Sequence, residues 1–443
     1  MRRGDPAVRT DDVDERYVPR HGDRGYDVVR YDLVLDYVPE SNRLSGTATL
    51  TVRAVEPLRR LRLDLNDLRV QKVLVDGARA RHEQRRAVTT VDLGRELAAG
   101  EQVDVALTYS GKPHPMRGLD GDAGWEELAE GAIVASQPHG APSWFPCNDR
   151  PSAKAPFRLE LSVPSAYSVV ANGTPGPVSR RAGRVTRVFD QPEPMATYLA
   201  AVHVGDFVEV EQATADASVP VGFVAPRALR DDVAEALVDQ PRMVAHFEEL
   251  FGPYPFARYT AVVVPDDLEI PLEAQGLSIF APNLLHDGWD SQRLVAHELA
   301  HQWFGNSVTL ATWADIWLHE GFACYSEWLW SEHAGHRSAD DWAAHHHARL
   351  ADLDQDLLLA DPGPDLMFDD RVYKRGALTL HALRRTVGDD AFFATLRAWT
   401  DRFRHANAST DDLEALVAET TGEPRTDLLD AWLRQTALPP LPS

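Results

Sequence analysis

The sequence predicts an α+β fold in which an all-β domain precedes a mostly helical domain with a small sheet. Apolar residues recur with a period of two from Tyr26 to about Val210, the signature of half-buried strands. After VGDFVEVE (204–211) the spacing widens to that of helices, and a length of 443 residues exceeds one ordinary core. The division this predicts is an arm over 1–24, a β domain over 25–208 and a helical domain over 209–443.

Taken in order, residues 1–24 are charged and poor in apolar side chains, which predicts a loose arm. Tyr31, Leu33, Leu35 and Tyr37 then alternate with Asp32, Val34 and Asp36, and Ala48, Leu50 and Val52 alternate with threonines. Val103, Val105, Leu107 and Tyr109 repeat the pattern, as do Phe157, Leu159, Leu161 and Val163. Arg230–Leu250 reads as helix through Val233, Leu237, Val244 and Phe247, with Pro241 beginning or kinking a segment within it. TAVVVP (260–265) is a short buried strand. A helix follows around HELAH, with Asp290 or Ser291 as its cap and Gly305 as its stop, and Gly388 and Gly422 close later helical runs. The terminal ALPPLPS cannot extend a helix.

Hydrophobic content of 44% with 26% charged residues describes a globular protein in water. A formal charge of −23 argues against nucleic acid and anionic membrane as partners, since both repel such a surface. The first residues lack an apolar core for a signal peptide, and no run approaches 18 apolar residues, so no membrane span is expected. Cys147 and Cys324 are the only cysteines and stand far apart, which predicts free thiols and a cytoplasmic setting.

The chemistry concentrates between His297 and Glu320, in HELAHQWFGNSVTLATWADIWLHE. His297 and His301 are four apart, so a helix stacks both imidazoles on one face. Two neutral imidazoles converging from one face begin a Zn²⁺ site, and Glu298 between them can act on a water at the metal. A catalytic zinc needs a third protein ligand, and Glu320, in a second helical run, supplies it. Histidine makes up only 17 of 443 residues, so the spacing is a specific signal. One Zn²⁺ per chain is expected, with water at the fourth position and Glu298 as general base and then proton donor to the departing amine.

HELAHQWFGN…WLHEGFA resembles the zinc signature of the M1 (gluzincin) aminopeptidases. FPCNDRPSAKAPF (145–157), NGTPG (172–176), VGDF (204–207), FGPYPF (251–256) and VYKRGAL (372–378) resemble that family too, in the right order. The resemblance covers almost the whole chain from about Tyr26. It implies a saddle- or sandwich-like β domain followed by a thermolysin-like catalytic domain, without the further helical domain that usually follows. It also implies that Tyr373 is the catalytic tyrosine that donates to an oxyanion, a position where tyrosine is otherwise commonly a packing residue. Glu273 in IPLEAQGLSIF falls on the glutamate that anchors the substrate α-ammonium, with Ile270, Leu272 and Ala274 replacing the family's Gly, Met and Asn. Gln137 falls on a second amine contact that is Glu or Gln among members. Ala135 stands where many members have another Gln, and His319 where Asn is commoner.

Zinc-bound histidines usually give their second nitrogen to a carboxylate or carbonyl. Asp315 is a candidate partner or equally a helix-surface residue. His345, His346 and His347 are consecutive and predict a solvated helix face, because three neighbours on a helix point in different directions. The resulting expectation is a zinc aminopeptidase acting on peptides with a free N-terminus. The alternatives are an epoxide or ester hydrolase or an endopeptidase on the same site, and a peptide-binding protein of low turnover.

Overall fold

The computed structural model describes residues 16–119, 121–213, 217–286 and 288–442. Among them the first half is built on a nine-stranded sheet. At its centre Tyr26–Val38 pairs antiparallel with Arg43–Ala54 and parallel with Lys154–Pro164, in the register Tyr31↔Phe157. Gln102–Gly111 and Arg184–Ala196 extend it on the two sides. The apolar members of the period-two pattern all point into the core, from Tyr31 and Leu33 through to Leu161 and Val163. One face thereby leaves water along every strand, which is what holds a register of period two in place.

A second, five-stranded sheet matters more to function. It runs Ser168–Ala171, Val202–Gly205, Gly131–Ala135, Gly121–Leu128 and Met116–Gly118, and delivers the chain to Gln137. A third sheet opens the second half with Phe207–Glu211, Val221–Pro226, Tyr259–Val263, Leu277–Phe280 and Leu272–Ala274. The last of these is an edge strand and carries Glu273.

The helices follow: α1 (Arg230–Ala236), α2 (Gln240–Phe251), α3 (Trp289–Ala300), α4 (Trp317–His333), α5 (Ala339–Ala351), α6 (Asp370–Val387), α7 (Asp389–Arg402), α8 (Thr410–Thr421) and α9 (Thr426–Leu433). Pro241 sits in the first turn of α2, where its missing N–H costs nothing, so the expected single run is two helices. Gly388 caps α6 and Gly422 caps α8, both at positive φ, as their positions predict. Among the described residues no helix is long and apolar enough to cross a membrane.

Several expectations are corrected. Gly288, at φ 108°, caps α3 in place of Asp290 or Ser291; Asp290 is an exposed first-turn acid and Ser291 is buried. The helix ends at Ala300, and Gly305 lies in the turns beyond it. A Cβ at Gly305 would stand 3.2 Å from His301 Nδ1, so glycine there leaves room for a site residue. The arm is not loose from Arg16 onward. Tyr17 is buried, donates to Asp361 Oδ1 at 2.7 Å and accepts from Gly363 N at 2.8 Å, so a phenol placed among polar groups docks the segment onto the second half. Residues 1–15 lie outside the described residues. His346 is buried in a stack with Trp328 and Trp342, while His345 is exposed, so the histidine run is only partly a solvated face.

Two contacts fix the halves and the site. Lys154, half-buried at the start of its strand, donates from Nζ to the carbonyls of Asn306 and Ser307 and to Thr309 Oγ1 at 2.8–3.1 Å. An ammonium from the first half is thus held by the turn that follows α3. Helices α4 and α6 approach at Gly321 and Gly376, where a Cβ on either would come within 2.7 Å of the other's Cα. Only glycine permits that approach, and it brings the helix of Glu320 against the helix of Tyr373.

Candidate active site

His297 and His301 project from the last turn of α3 towards Glu320 on α4. Glu320 Oε2 lies 3.3 Å from His297 Nε2 and 3.5 Å from His301 Nε2. One donor atom from each of the three residues falls within a 4.8 Å cluster, and all three are buried. The outer nitrogens are engaged elsewhere. His301 Nδ1 donates to the carbonyl of Phe304 at 3.0 Å, and His297 Nδ1 to Glu327 Oε1 at 2.8 Å. A carbonyl and a carboxylate accept only, so each neutral ring turns its Nε2 lone pair inward. Two lone pairs and a carboxylate oxygen converging in a buried space fit a tetrahedral cation of the zinc type.

The charge around this cluster agrees. Burial lowers the basicity of both imidazoles, yet hydrogen bonds to Glu320 and Glu327 raise His297 to about 9, and Glu273 and Glu320 raise His301 to about 10. The histidines counter the burial of Glu320 and hold it far below the usual carboxylate range. Against burial, Lys374 and His297 hold Glu327 at about 2. So acidic a pocket favours positive charge at its centre, which a divalent ion supplies without protons.

Glu298 is buried with the ligands, and its Oε2 has no hydrogen-bond partner in the protein. An unpaired buried carboxylate oxygen is costly, so it points to a polar group brought by water or substrate. Burial, against the pull of His297 and His301, raises this carboxyl to about 8. Tyr373 is half-buried with its ring stacked against His297, centroids 5.9 Å apart.

Glu273 is 7% exposed and lies in the same cleft, with Gln137 Nε2 donating to its Oε1 at 2.7 Å. The strand that carries Glu273 is held on both sides. Glu273 pairs with Ser278, and the carbonyl of Ala274 accepts from Gln302 Nε2 at 3.2 Å and Asn306 Nδ2 at 3.0 Å. The turn after α3 therefore holds the edge strand beside the histidines. All seven residues singled out in the sequence line one cleft of about 360 Å³, which also reaches Phe368, Arg293 and Lys374.

Asp315 is not the partner of either histidine. It accepts instead from Thr410 N and Oγ1 at 3.0 and 2.8 Å, at the first residue of α8, whose cap is Ser409. The partner the sequence did not reveal is Glu327. Its signal was available: it follows Glu320 by seven residues, two turns along the same face of α4. His319 is buried and joins two elements. Its buried Nε2 accepts from Leu310 N at 2.9 Å, and burial lowers its basicity to about 3, so a neutral ring ties α4 to the short strand Thr309–Leu310.

The Peptidase M1 N-terminal domain profile matches residues 28–199, and the Peptidase family M1 domain profile matches residues 235–432. The crystal structure of the M1 zinc metallopeptidase from Deinococcus radiodurans is similar, with a TM-score of 0.88 and 36% identity over 97% of this chain and 98% of that one. A mutant of that protein bound to a Tyr-Ser-Ala substrate aligns with a TM-score of 0.89. Aminopeptidase M1-B of Oryza sativa subsp. japonica is 30% identical over 92% of this chain and 50% of its own length. Human glutamyl aminopeptidase is 28% identical over 93% of this chain and 47% of its own. The chain thus spans about half the length of the curated relatives it matches. The two profiles together, with a solved structure 36% identical across nearly the whole of both chains, place this chain in peptidase family M1, among the M1 zinc metallopeptidases.

Proposed function

We propose that this chain is a zinc-dependent aminopeptidase that removes N-terminal residues from peptides. His297, His301 and Glu320 hold the metal. A zinc ion held there would supply Lewis-acid polarisation of the scissile carbonyl and lower the pKa of a water towards about 7. Glu298 takes a proton from the attacking water on its free oxygen and delivers it to the departing amine. The Tyr373 hydroxyl donates to the oxygen that becomes negative in the tetrahedral intermediate. Glu327 and the Phe304 carbonyl keep both imidazoles in the tautomer and orientation that metal binding requires.

The observation that carries the reading is Glu273, a buried carboxylate steadied by Gln137 beside the metal cradle. A free ammonium is expensive to desolvate unless an anion meets it. Glu273 meets that need, and an acetylated N-terminus cannot use it. Glu273→Gln keeps size and removes charge, and it should cost about 2–4 kcal/mol in kcat/KM on unblocked peptides. The loss should vanish on N-acetylated ones. Equal cleavage of free and acetylated peptides by the unaltered protein would make it an endopeptidase and end this reading.

The proposal extends to a domain boundary near residue 208, supported by the third sheet beginning at Phe207. It also extends to a cytoplasmic setting, supported by two free, buried thiols, Cys147 and Cys324.

A further inference from the structure

The cleft takes Gln137, Pro138 and His139 from the first half of the chain and Phe368, Asp370 and Tyr373 from the second. Residues 16–23 are tied beside both sets. Tyr17 is buried, and its hydroxyl donates to Asp361 Oδ1 at 2.7 Å and accepts from Gly363 N at 2.8 Å. Arg16 donates to the other oxygen of Asp361 at 2.9 Å. This dock lies directly before the turn Pro364–Leu366, which leads to Phe368 and then to α6 with Tyr373.

A few residues on, the first half takes hold. His21 Nδ1 donates to Asp149 Oδ2, Gly22 N to Asp64 Oδ2 and Asp23 N to Asn148 Oδ1, each at 2.7 Å. Arg62 donates to the carbonyls of Arg20 and Gly22. Asp64 and Asp149 are both buried, and a buried carboxylate is costly without partners, so the fold favours this dock being filled. The His21 ring meets His139 edge-on, with centroids 6.2 Å apart. His139 lines the cleft two residues after Gln137, and its Nε2 bonds the carbonyl of Met116 at 3.1 Å.

From Tyr17 to Gly22 the chain can span at most about 18 Å when fully extended. The segment therefore limits how far its two docks can part. That limit bears on catalysis. A peptide anchored by its amine at Glu273 and Gln137 must present its carbonyl to the Tyr373 hydroxyl, and a misplacement of about 1 Å costs up to about 10²-fold in rate.

We propose that residues 16–23 are a strap that fixes the spacing between Gln137 and Tyr373, with Tyr17 and His21 as positioning residues for peptide hydrolysis. The inference rests on the aminopeptidase reading above and adds to it residues that touch neither substrate nor metal.

Tyr17→Phe loosens one end of the strap and His21→Ala the other. With zinc-loaded protein and alanine p-nitroanilide, each should lower kcat about tenfold and change KM less than about threefold, because the amine anchor stays while the carbonyl loses its place. A strap works only when both ends hold. The double variant should therefore fall within about twofold of the worse single one, whereas two independent docks would multiply to about a hundredfold. His21→Gln, which can still donate to Asp149, should restore most of kcat. Hydrogen exchange reads the strap without turnover: His21→Ala should speed exchange at the Gly363 amide, and Tyr17→Phe at the Gly22 and Asp23 amides. Thermal midpoints check folding, and Asp361→Asn loosens the Tyr17 end should Tyr17→Phe not fold. Losses that multiply in the double variant overturn the inference, as does faster exchange confined to the substituted end. Absence of turnover by the unaltered protein counts against the aminopeptidase reading, and the exchange rates then decide the strap alone.

Discussion

Replacing Glu327 by glutamine removes one charge from behind the metal cradle and leaves its shape intact. The carboxylate accepts from His297 Nδ1 at 2.8 Å, and its side chain is 4% exposed, so water cannot take its place. Loss of such an outer partner typically lowers metal affinity by about 10–100-fold, or about 1.4–2.8 kcal/mol. The surroundings put Glu327→Gln towards the upper end of that range. To accept from His297, the amide must turn its oxygen inward, and its NH₂ then faces Arg293 and Lys374, donors set against donors. Zinc affinity is measured by competition with a chelator of known strength, with the thermal midpoint reporting whether the variant is folded. A folded variant whose zinc affinity stays within about twofold of the unaltered protein would refute the claim that Glu327 tunes His297.

Glu298→Gln should retain full zinc content and lose at least about 10³-fold in kcat, because the ligands remain while the proton carrier is gone. Metal analysis alongside turnover separates the two effects. Tyr373→Phe should lower kcat by about 10²–10³, the scale of one lost oxyanion donor, and a variant matching the unaltered protein in steady-state kinetics would remove Tyr373 from the mechanism. Stability should fall with acid. Burial lowers the basicity of His203 and His346 to about 3, and of His246 and His405 to about 4. Their folded values lie below the unfolded value of about 6.5, so the unfolded chain binds protons first as the pH drops. Stability is therefore lost from about pH 6.5 down to about 4 for His246 and His405 and to about 3 for His203 and His346, at roughly 1 kcal/mol per pH unit for the fully buried His203 and less for the others. Urea unfolding at pH 7 and pH 5 checks the sign, and equal midpoints would contradict it.

Much of this arrangement was legible in the chain because it obeys local periods. The strands of the large sheet follow from alternation at Tyr31–Tyr37 and its repeats, since one face of each strand must leave water. The metal cradle follows from the four-residue step between His297 and His301, which any helix converts into one face. Gln137, Glu273 and Tyr373 were reached only through resemblance, because their meeting depends on how separate elements pack. What stayed hidden is tertiary in origin. Gly288 outcompetes Asp290 as a cap because the entering backbone needs positive φ. Asp315 sits near the ligands in sequence but is drawn away by Thr410. Tyr17 is pinned by Asp361 and Gly363, more than 300 residues away, and no local pattern announces that.

The bond from Gln137 to Glu273 joins residues 136 positions apart, one contributed by each half of the chain. If the proposed function holds, the groups that break the bond all come from the second half, whereas recognition of a free N-terminus draws one residue from each half. Lys154, wedged among carbonyls of the turn after α3, sets how they seat. On that proposal, a change at Gln137 in the β half would alter which chain ends are admitted while the hydrolytic residues stay untouched. One blade can serve many guards.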